Sequence, residues 1–352
     1  MHTQDKTDLA VVVGRFQPFH QGHQALLAQA LDVADHVVVV IGSAHQARTP
    51  RNPFTWQERA ETVSASLPES LRARVTFVPM RDWYDEEKWR AAVRQEVEGI
   101  ARARWPERAA AIALIGHLKD DSSAYLQHFD GWHFVALPRS CPTDATHIRD
   151  VYFGGAGTGL AAALASLTDA VPEATLAFLS AWAKSPEYAA VCEEWRMLKA
   201  YQQAWSAAPY PPVFVTVDAV VRCADKVLLI QRGQPPGVGL YAVPGGFIEQ
   251  RETAYQSALR ELREETRLEV AEPVMKAALR GQAVLDHPDR SQRGRTITHA
   301  FYFDLGPGPL PAVRAADDAQ SAEWIDIRQL PMMEGQFHDD HFHMLDQFLG
   351  LL

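Results

Sequence analysis

Residues 207 to 212 read Ala-Ala-Pro-Tyr-Pro-Pro, and no helix or strand runs through such a segment. Each proline lacks an N–H and pushes its predecessor out of the helical region. The hydrophobic pattern changes across it. Upstream, short apolar runs (9–13, 36–41, 75–78, 111–115, 133–137) alternate with helical stretches, which predicts βαβ units around a parallel sheet. From about 158 to 205 helix follows helix, the last opening at Ser185-Pro186-Glu187 with proline in the first turn. Downstream the chain is strand-rich. Runs at 213–221, 226–230, 241–243, near 283, 296–304 and 322–325 surround one clear helix over 253–267, and a last helix begins near 338. The expected architecture is a doubly wound parallel sheet over 1–206, a linker over 207–212 and an α+β domain over 213–352. With 352 residues, 47% of them hydrophobic, there is material for two cores.

Charge narrows the function. There are 34 Lys and Arg against 44 Asp and Glu, a net charge of −10, and both halves are acidic. Non-specific nucleic-acid binding needs basic surface, so it is not expected. An anionic substrate would have to be met by local cations or metal ions. Cys141, Cys192 and Cys223 are far apart and lack CxxC spacing, which fits a reducing cytosol and isolated buried thiols. No apolar run of membrane-spanning length occurs, and the polar start is not a secretory signal. Nothing in the sequence decides between a single chain and a homo-oligomer.

The first expected site follows the first strand, at Gly14-Arg15-Phe16-Gln17-Pro18-Phe19-His20-Gln21-Gly22-His23. A helix N-terminus at the carboxyl edge of a parallel sheet offers free amides to phosphate. His20 and His23, three apart, face the same way. Two histidines at this spacing also describe a plain helix cap. No GxxxxGK[ST] occurs, so the turn is not a P-loop. The whole segment, however, resembles the GRFxPxHxGH signature of nucleotidyltransferases, and among them nicotinamide-mononucleotide (NMN) adenylyltransferases. Further segments are similar to that family: Ile41 to His45, Arg51-Asn-Pro-Phe-Thr55 with Glu58 and Arg59, Gly116 to Asp121, and Asp144 to Arg149. The last matches an I-S-x-T-x-x-R motif in Thr146 and Arg149, with Asp144 in place of Ser. The resemblance implies in-line attack of a mononucleotide phosphate on the α-phosphorus of ATP. It assigns catalysis to His20, His23 and Arg149, and nucleotide binding to Gly14, Arg15, Phe16, Gln17, Pro18, Asn52, Lys119, Asp120 and Thr146.

The second expected site lies in 246–268. Glu261, Glu264 and Glu265 fall on one helix face. Crowded carboxylates repel unless a cation joins them, and oxygen-only donors suit Mg²⁺ or Mn²⁺. The turn Pro244-Gly245-Gly246 can bring a backbone carbonyl to the metal, and Arg260 can hold a neighbouring glutamate. A solvated acidic stripe is the plain alternative. The segment resembles the Nudix box, GX5EX7REUXEEXGU, with Arg267 where Gly is usual. The resemblance implies metal-dependent hydrolysis of a nucleoside diphosphate linked to another group. Its metal ligands would be Glu261, Glu264, Glu265 and the Gly246 carbonyl, with Glu264 and Glu265 catalytic. Clustered Arg290, Arg293 and Arg295 read as a clamp for substrate phosphate. Both motif sets in this order resemble bacterial fusions of NMN adenylyltransferase with Nudix ADP-ribose pyrophosphatase. Such a fusion would take ATP and NMN to NAD, and ADP-ribose to AMP and ribose 5-phosphate. Two other readings stay open for the second half: hydrolysis of another nucleoside diphosphate derivative, and mere sensing of ADP-ribose or NAD derivatives.

Overall fold

The computed structural model describes residues 7–117, 126–137, 144–156 and 159–352. Cα packing divides the chain into two units, Met1–Cys192 and Glu193–Leu352. The first unit runs β1 (Thr7–Gly14), α1 (Gln21–Val33), β2 (Ala34–Ile41), α2 (Trp56–Ala65), α3 (Glu69–Arg72), β3 (Val75–Pro79), α4 (Glu86–Arg104), β4 (Ile112–Gly116) and β5 (His133–Ala136). Then come α5 (Ala145–Gly154), α6 (Leu160–Ser166), α7 (Glu173–Trp182) and α8 (Pro186–Ala204), within which the division falls.

All five strands pair in parallel, in the order β3-β2-β1-β4-β5. Ala10, Val12, Val37 and Val39 pack on the α1 side with Leu27 and Leu31. Leu9, Val11, Val38 and Val40 pack on the other side with Val93 and Val97 of α4. Both faces of β1 and β2 are thus covered, which is why their sequences are continuously apolar rather than alternating. The doubly wound parallel sheet expected from the sequence is present. Strand order reverses between β1 and β4, so their connections leave in opposite directions and open a crevice at their carboxyl ends.

The second unit runs β6 (Val213–Cys223), β7 (Lys226–Arg232), β8 (Tyr241–Ala242), β9 (Gly245–Phe247), α9 (Ala254–Thr266), α10 (Glu272–Ala278), β10 (Leu279–Leu285), β11 (Arg295–Asp304), β12 (Ala319–Asp326) and α11 (His341–Leu349). Its sheet has the order β10-β11-β6-β7-β12, with β8 on β7 and β9 on β6. Only β6 and β11 pair in parallel among these contacts; the others are antiparallel. This is the mixed sheet expected. Helix α10 and the short β9 were not foreseen, and the last helix starts at His341 rather than near 338. Among the described residues no helix is long and apolar enough to cross a membrane. Cys192 and Cys223 are free and buried; Cys141 lies outside the described residues.

Helix α9 packs Ala258, Leu259 and Leu262 against Val217, Ala219, Val221 and Leu228. Thr253 caps it by accepting from the Gln256 N–H at 3.3 Å. Arg267 ends it in the left-handed region at φ 50°, a conformation glycine adopts without a Cβ penalty. Arg267→Gly is therefore expected to stabilise the protein by about 1 kcal/mol, read as a higher urea midpoint.

Candidate active sites

In the first unit, β1 ends at Gly14 because the Phe16 ring needs the space beside it: a Cβ there would lie 2.9 Å from the ring. Phe16 sits at φ 51°, and Pro18 follows Gln17 through a cis peptide bond. The turn is held from outside. Gln17 and Phe54 exchange two hydrogen bonds, Gln17 Nε2 to the Phe54 carbonyl at 2.8 Å and the Phe54 N–H to Gln17 Oε1 at 3.1 Å. Chain reversal then puts His20 at the N-cap of α1.

His20 and His23 stack with ring centroids 3.7 Å apart, and His23 also lies against Phe16 and Phe19. Burial, with His20 and His117 nearby, holds the His23 imidazole well below its ordinary pKa, so it is neutral. Its Nδ1 accepts the His20 N–H at 3.4 Å, which leaves the proton on Nε2. His23 is therefore a neutral donor at a helix N-terminus. His117 directly follows β4, near His23, its Nδ1 2.8 Å from the Leu137 carbonyl.

Arg149 reaches the same turn from α5. It is buried, donating to the Gln17 carbonyl at 2.6 Å and to Thr146 Oγ1 at 3.2 Å. Burial and the charges of Arg15 and Arg51 lower it to about 10, still cationic at neutral pH. Arg15, Arg51 and Arg149 thus gather positive charge at this turn of an acidic chain. Asp144 caps α5 by accepting from the His147 N–H at 2.9 Å, which accounts for the carboxylate where the related motif has Ser. Asn52 is buried and donates to Gln46 Oε1 at 2.6 Å, and Gln46 donates to Asp82 at 2.7 Å. Asn52 Oδ1 finds no partner among the described residues. Lys119 and Asp120 lie outside the described residues.

Arg59 is the residue whose importance the sequence hides. Buried in α2, it donates to the carbonyls of Arg15, Gly42 and Ser43 at 2.6, 2.7 and 3.1 Å. It therefore ties together the ends of β1 and β2. A Thr55–Glu58 capping box starts the helix and fixes where Arg59 points. Arg59→Ala leaves the buried Gly42 and Ser43 carbonyls and the part-buried Arg15 carbonyl without this donor and is expected to cost about 3 kcal/mol, measured by denaturant unfolding.

In the second unit, Gly245 and Gly246 are obligatory. A Cβ on Gly245 would meet Asp218 Oδ1 at 2.5 Å, and one on Gly246 would meet Glu261 Oε1 at 2.5 Å. The Glu261 carboxylate is thus seated against the Gly246 backbone. Arg260 gathers the acids. Its guanidinium donates to Glu252 at 2.9 Å, Glu261 at 2.7 Å, Glu264 at 2.9 Å and the Phe247 carbonyl at 3.1 Å. Glu265 turns away from Arg260, buried, and accepts from the Gly245 N–H at 2.9 Å. Among the described residues no three metal-ligating side chains converge in this arrangement: Arg260 lies between Glu261 and Glu264.

The donor set still suits a hard divalent cation. Burial pushes Glu265 up to about 8, with Glu261 and Asp218 acting the same way, and burial also raises Glu261. Glu265, buried and turned away from Arg260, is a carboxyl that such an ion would neutralise.

Of the three clustered arginines, Arg290 is buried and paired to Asp340 through two hydrogen bonds at 2.9 and 2.8 Å. Removing one partner strands the other charge, so Arg290→Met should cost about 3–5 kcal/mol of stability. Arg295 donates to the Asp286 carbonyl. Arg293 lies over the Phe247 ring, 5.1 Å from its centroid. Sequence reasoning missed Asp218, Arg232, His338 and His341, which lie close together behind Gly245. The Val243 N–H donates to His341 Nδ1 at 3.2 Å. Their strands and helix are distant in sequence, and no short motif links them.

Two family models match, one over each half: cytidylyltransferase-like over residues 11–148, and NUDIX domain over 212–348. A nicotinamide/nicotinic acid mononucleotide adenylyltransferase of Acinetobacter baylyi is 34% identical over 192 residues, 54% of this chain and 95% of the relative. An ADP-ribose pyrophosphatase of Methanocaldococcus jannaschii is 40% identical over 119 residues, 34% of this chain and 65% of the relative. The crystal structure of a bifunctional NMN adenylyltransferase/ADP ribose pyrophosphatase from Francisella tularensis superposes with a TM-score of 0.89 at 31% identity. It covers 98% of this chain and 99% of that one. The chain belongs to this bifunctional family. A second structure of the Francisella enzyme holds AMP and a manganese ion, with a TM-score of 0.87 at 31% identity. The family match spans both units.

Proposed function

We propose that the first unit joins NMN to the adenylyl group of ATP, giving NAD and pyrophosphate, and that the second hydrolyses ADP-ribose to AMP and ribose 5-phosphate. The observation that carries this reading is the end-to-end similarity to the Francisella fusion at 98% coverage. We place the boundary between the two activities at 207–212, a reading supported by the start of the NUDIX match at residue 212. The cytosol is the compartment expected for these metabolites.

For adenylyl transfer, no group on the protein needs to become covalently attached. His23 donates its Nε2 proton to a phosphate oxygen without changing charge. His20 extends the donor row, and Arg149, with Arg15, offsets the negative charge that gathers on the α-phosphate and the leaving pyrophosphate. Gln17 holds the Phe54 backbone, Asn52 holds Gln46 and Thr146 accepts from Arg149, and together they complete the nucleotide pocket. Because His23 is already neutral far below 6.5, the acid limb of the pH–rate profile for synthesis is expected below the ordinary imidazole range. A limb centred at 6.5 and abolished by His23→Gln would contradict a neutral His23.

For hydrolysis, Glu261, Glu264, Glu265 and the Gly246 carbonyl would hold Mg²⁺ or Mn²⁺, which polarises the diphosphate and activates water when bound. Arg260 keeps Glu261 and Glu264 aimed, and Arg293 is the arginine of its cluster best placed to touch substrate. Purified protein assayed with NMN plus ATP, and separately with ADP-ribose, with and without chelator, tests both halves. NAD formation without ADP-ribose cleavage would favour the sensor or other-substrate readings of the second unit.

A further inference from the structure

Phe247 stands one residue beyond Gly246, whose backbone supports the Glu261 carboxylate. Its carbonyl is held by the same Arg260 that gathers Glu252, Glu261 and Glu264. Its ring is 41% exposed, unusual for a phenyl group fixed so firmly by its backbone. Arg293 lies over that ring, and Arg293 Nε is buried with no hydrogen-bond partner among the described residues. Phe214 meets Phe247 edge-on, with centroids 6.1 Å apart, and Trp205, 45% exposed, continues the row against Phe214 at 5.3 Å. Gly294, at φ 150°, keeps the neighbouring backbone close to Phe214, where a Cβ would lie 3.0 Å from the ring.

A solvent-facing aromatic row with a stacked guanidinium and an unused donor fits a flat, polar, π-bearing ligand. Phe247 directly follows Gly246, so the row lies beside the carboxylates that Arg260 gathers. We propose that Phe247 and Arg293 form the base platform of the second site: the purine of a nucleoside diphosphate derivative stacks on the exposed Phe247 ring, and Arg293 Nε donates to it or to its sugar. This makes Phe247 a specificity-determining residue rather than a catalytic one. The inference rests on the hydrolase reading of that site.

The test compares ADP-ribose with a base-free diphosphate carrying ribose at both ends, using wild type, Phe247→Leu and Phe247→Ala. The leucine variant keeps apolar volume and removes only the flat π-face. Stacking is made equally in ground and transition states, so its loss raises KM and spares kcat. Both variants are expected to raise KM for ADP-ribose about tenfold, with kcat within twofold and the base-free substrate unaffected. Arg293→Gln is expected to act in the same direction. If wild type cleaves ADP-ribose and both variants keep its preference over the base-free substrate, the platform is refuted while the hydrolase reading stands. If the variants instead change the oligomeric state and leave that preference intact, the row is a contact between copies and the proposal falls. If wild type does not cleave ADP-ribose, the hydrolase reading fails and takes the platform with it.

Discussion

Replacing His23 with alanine is expected to abolish NAD synthesis, a loss of about 3 kcal/mol or more in transition-state stabilisation, while ADP-ribose hydrolysis stays near wild type. His23 is neutral, its proton is on Nε2, and it stacks on His20 at the start of α1. The two activities measured on one purified variant decide the matter. Synthesis within a few fold of wild type would mean that His23 only shapes the helix start.

The second large effect is expected at Glu265. Glu265→Gln keeps the shape of a buried side chain and removes the charge that a divalent ion needs. ADP-ribose hydrolysis should fall by a factor of about 100 or more, with NAD synthesis unchanged. Glu264→Gln should behave alike through a more exposed partner of Arg260. Stability moves the opposite way and separates misfolding from lost chemistry. In the metal-free protein burial raises Glu265 from 4.5 to about 8. The unfolded chain ionises it above 4.5 and the folded protein resists, so wild type loses stability as pH rises from 4.5 towards 8. The glutamine variant escapes that loss. With chelator present it should melt above wild type at pH 8, and the difference should vanish below pH 4.5. Adding Mg²⁺ should then raise the melting temperature of wild type and leave the variant nearly unmoved. Wild-type-like hydrolysis by Glu265→Gln would remove the metal from this site.

Much of the fold was legible because its signals are local. Continuous apolar strands at 9–13 and 36–41 meant burial on both faces, and the sheet covers both. The glutamates at 261, 264 and 265 had to share a helix, and they do, with the Arg260 guanidinium between two of them. What escaped was long-range. Arg290 and Arg293 are three residues apart in one basic loop, yet Arg290 is committed to Asp340, 50 residues away, and Arg293 to the face of Phe247. Composition gives both the same reading; only the packing of α11 and β9 separates them. Arg59 was visible as a family-like residue, but its grip on the ends of two strands depends on carbonyls that carry no side-chain signature.

Arg260 also changes what metal binding means for this enzyme. Its guanidinium offsets the charge of Glu252, Glu261 and Glu264, so the imbalance left for a divalent ion to neutralise sits chiefly on buried Glu265. The affinity then reflects only that remainder, so it should be modest and readily reversible. Occupancy would follow the free ion concentration, and the ion would leave the scaffold standing when it departs.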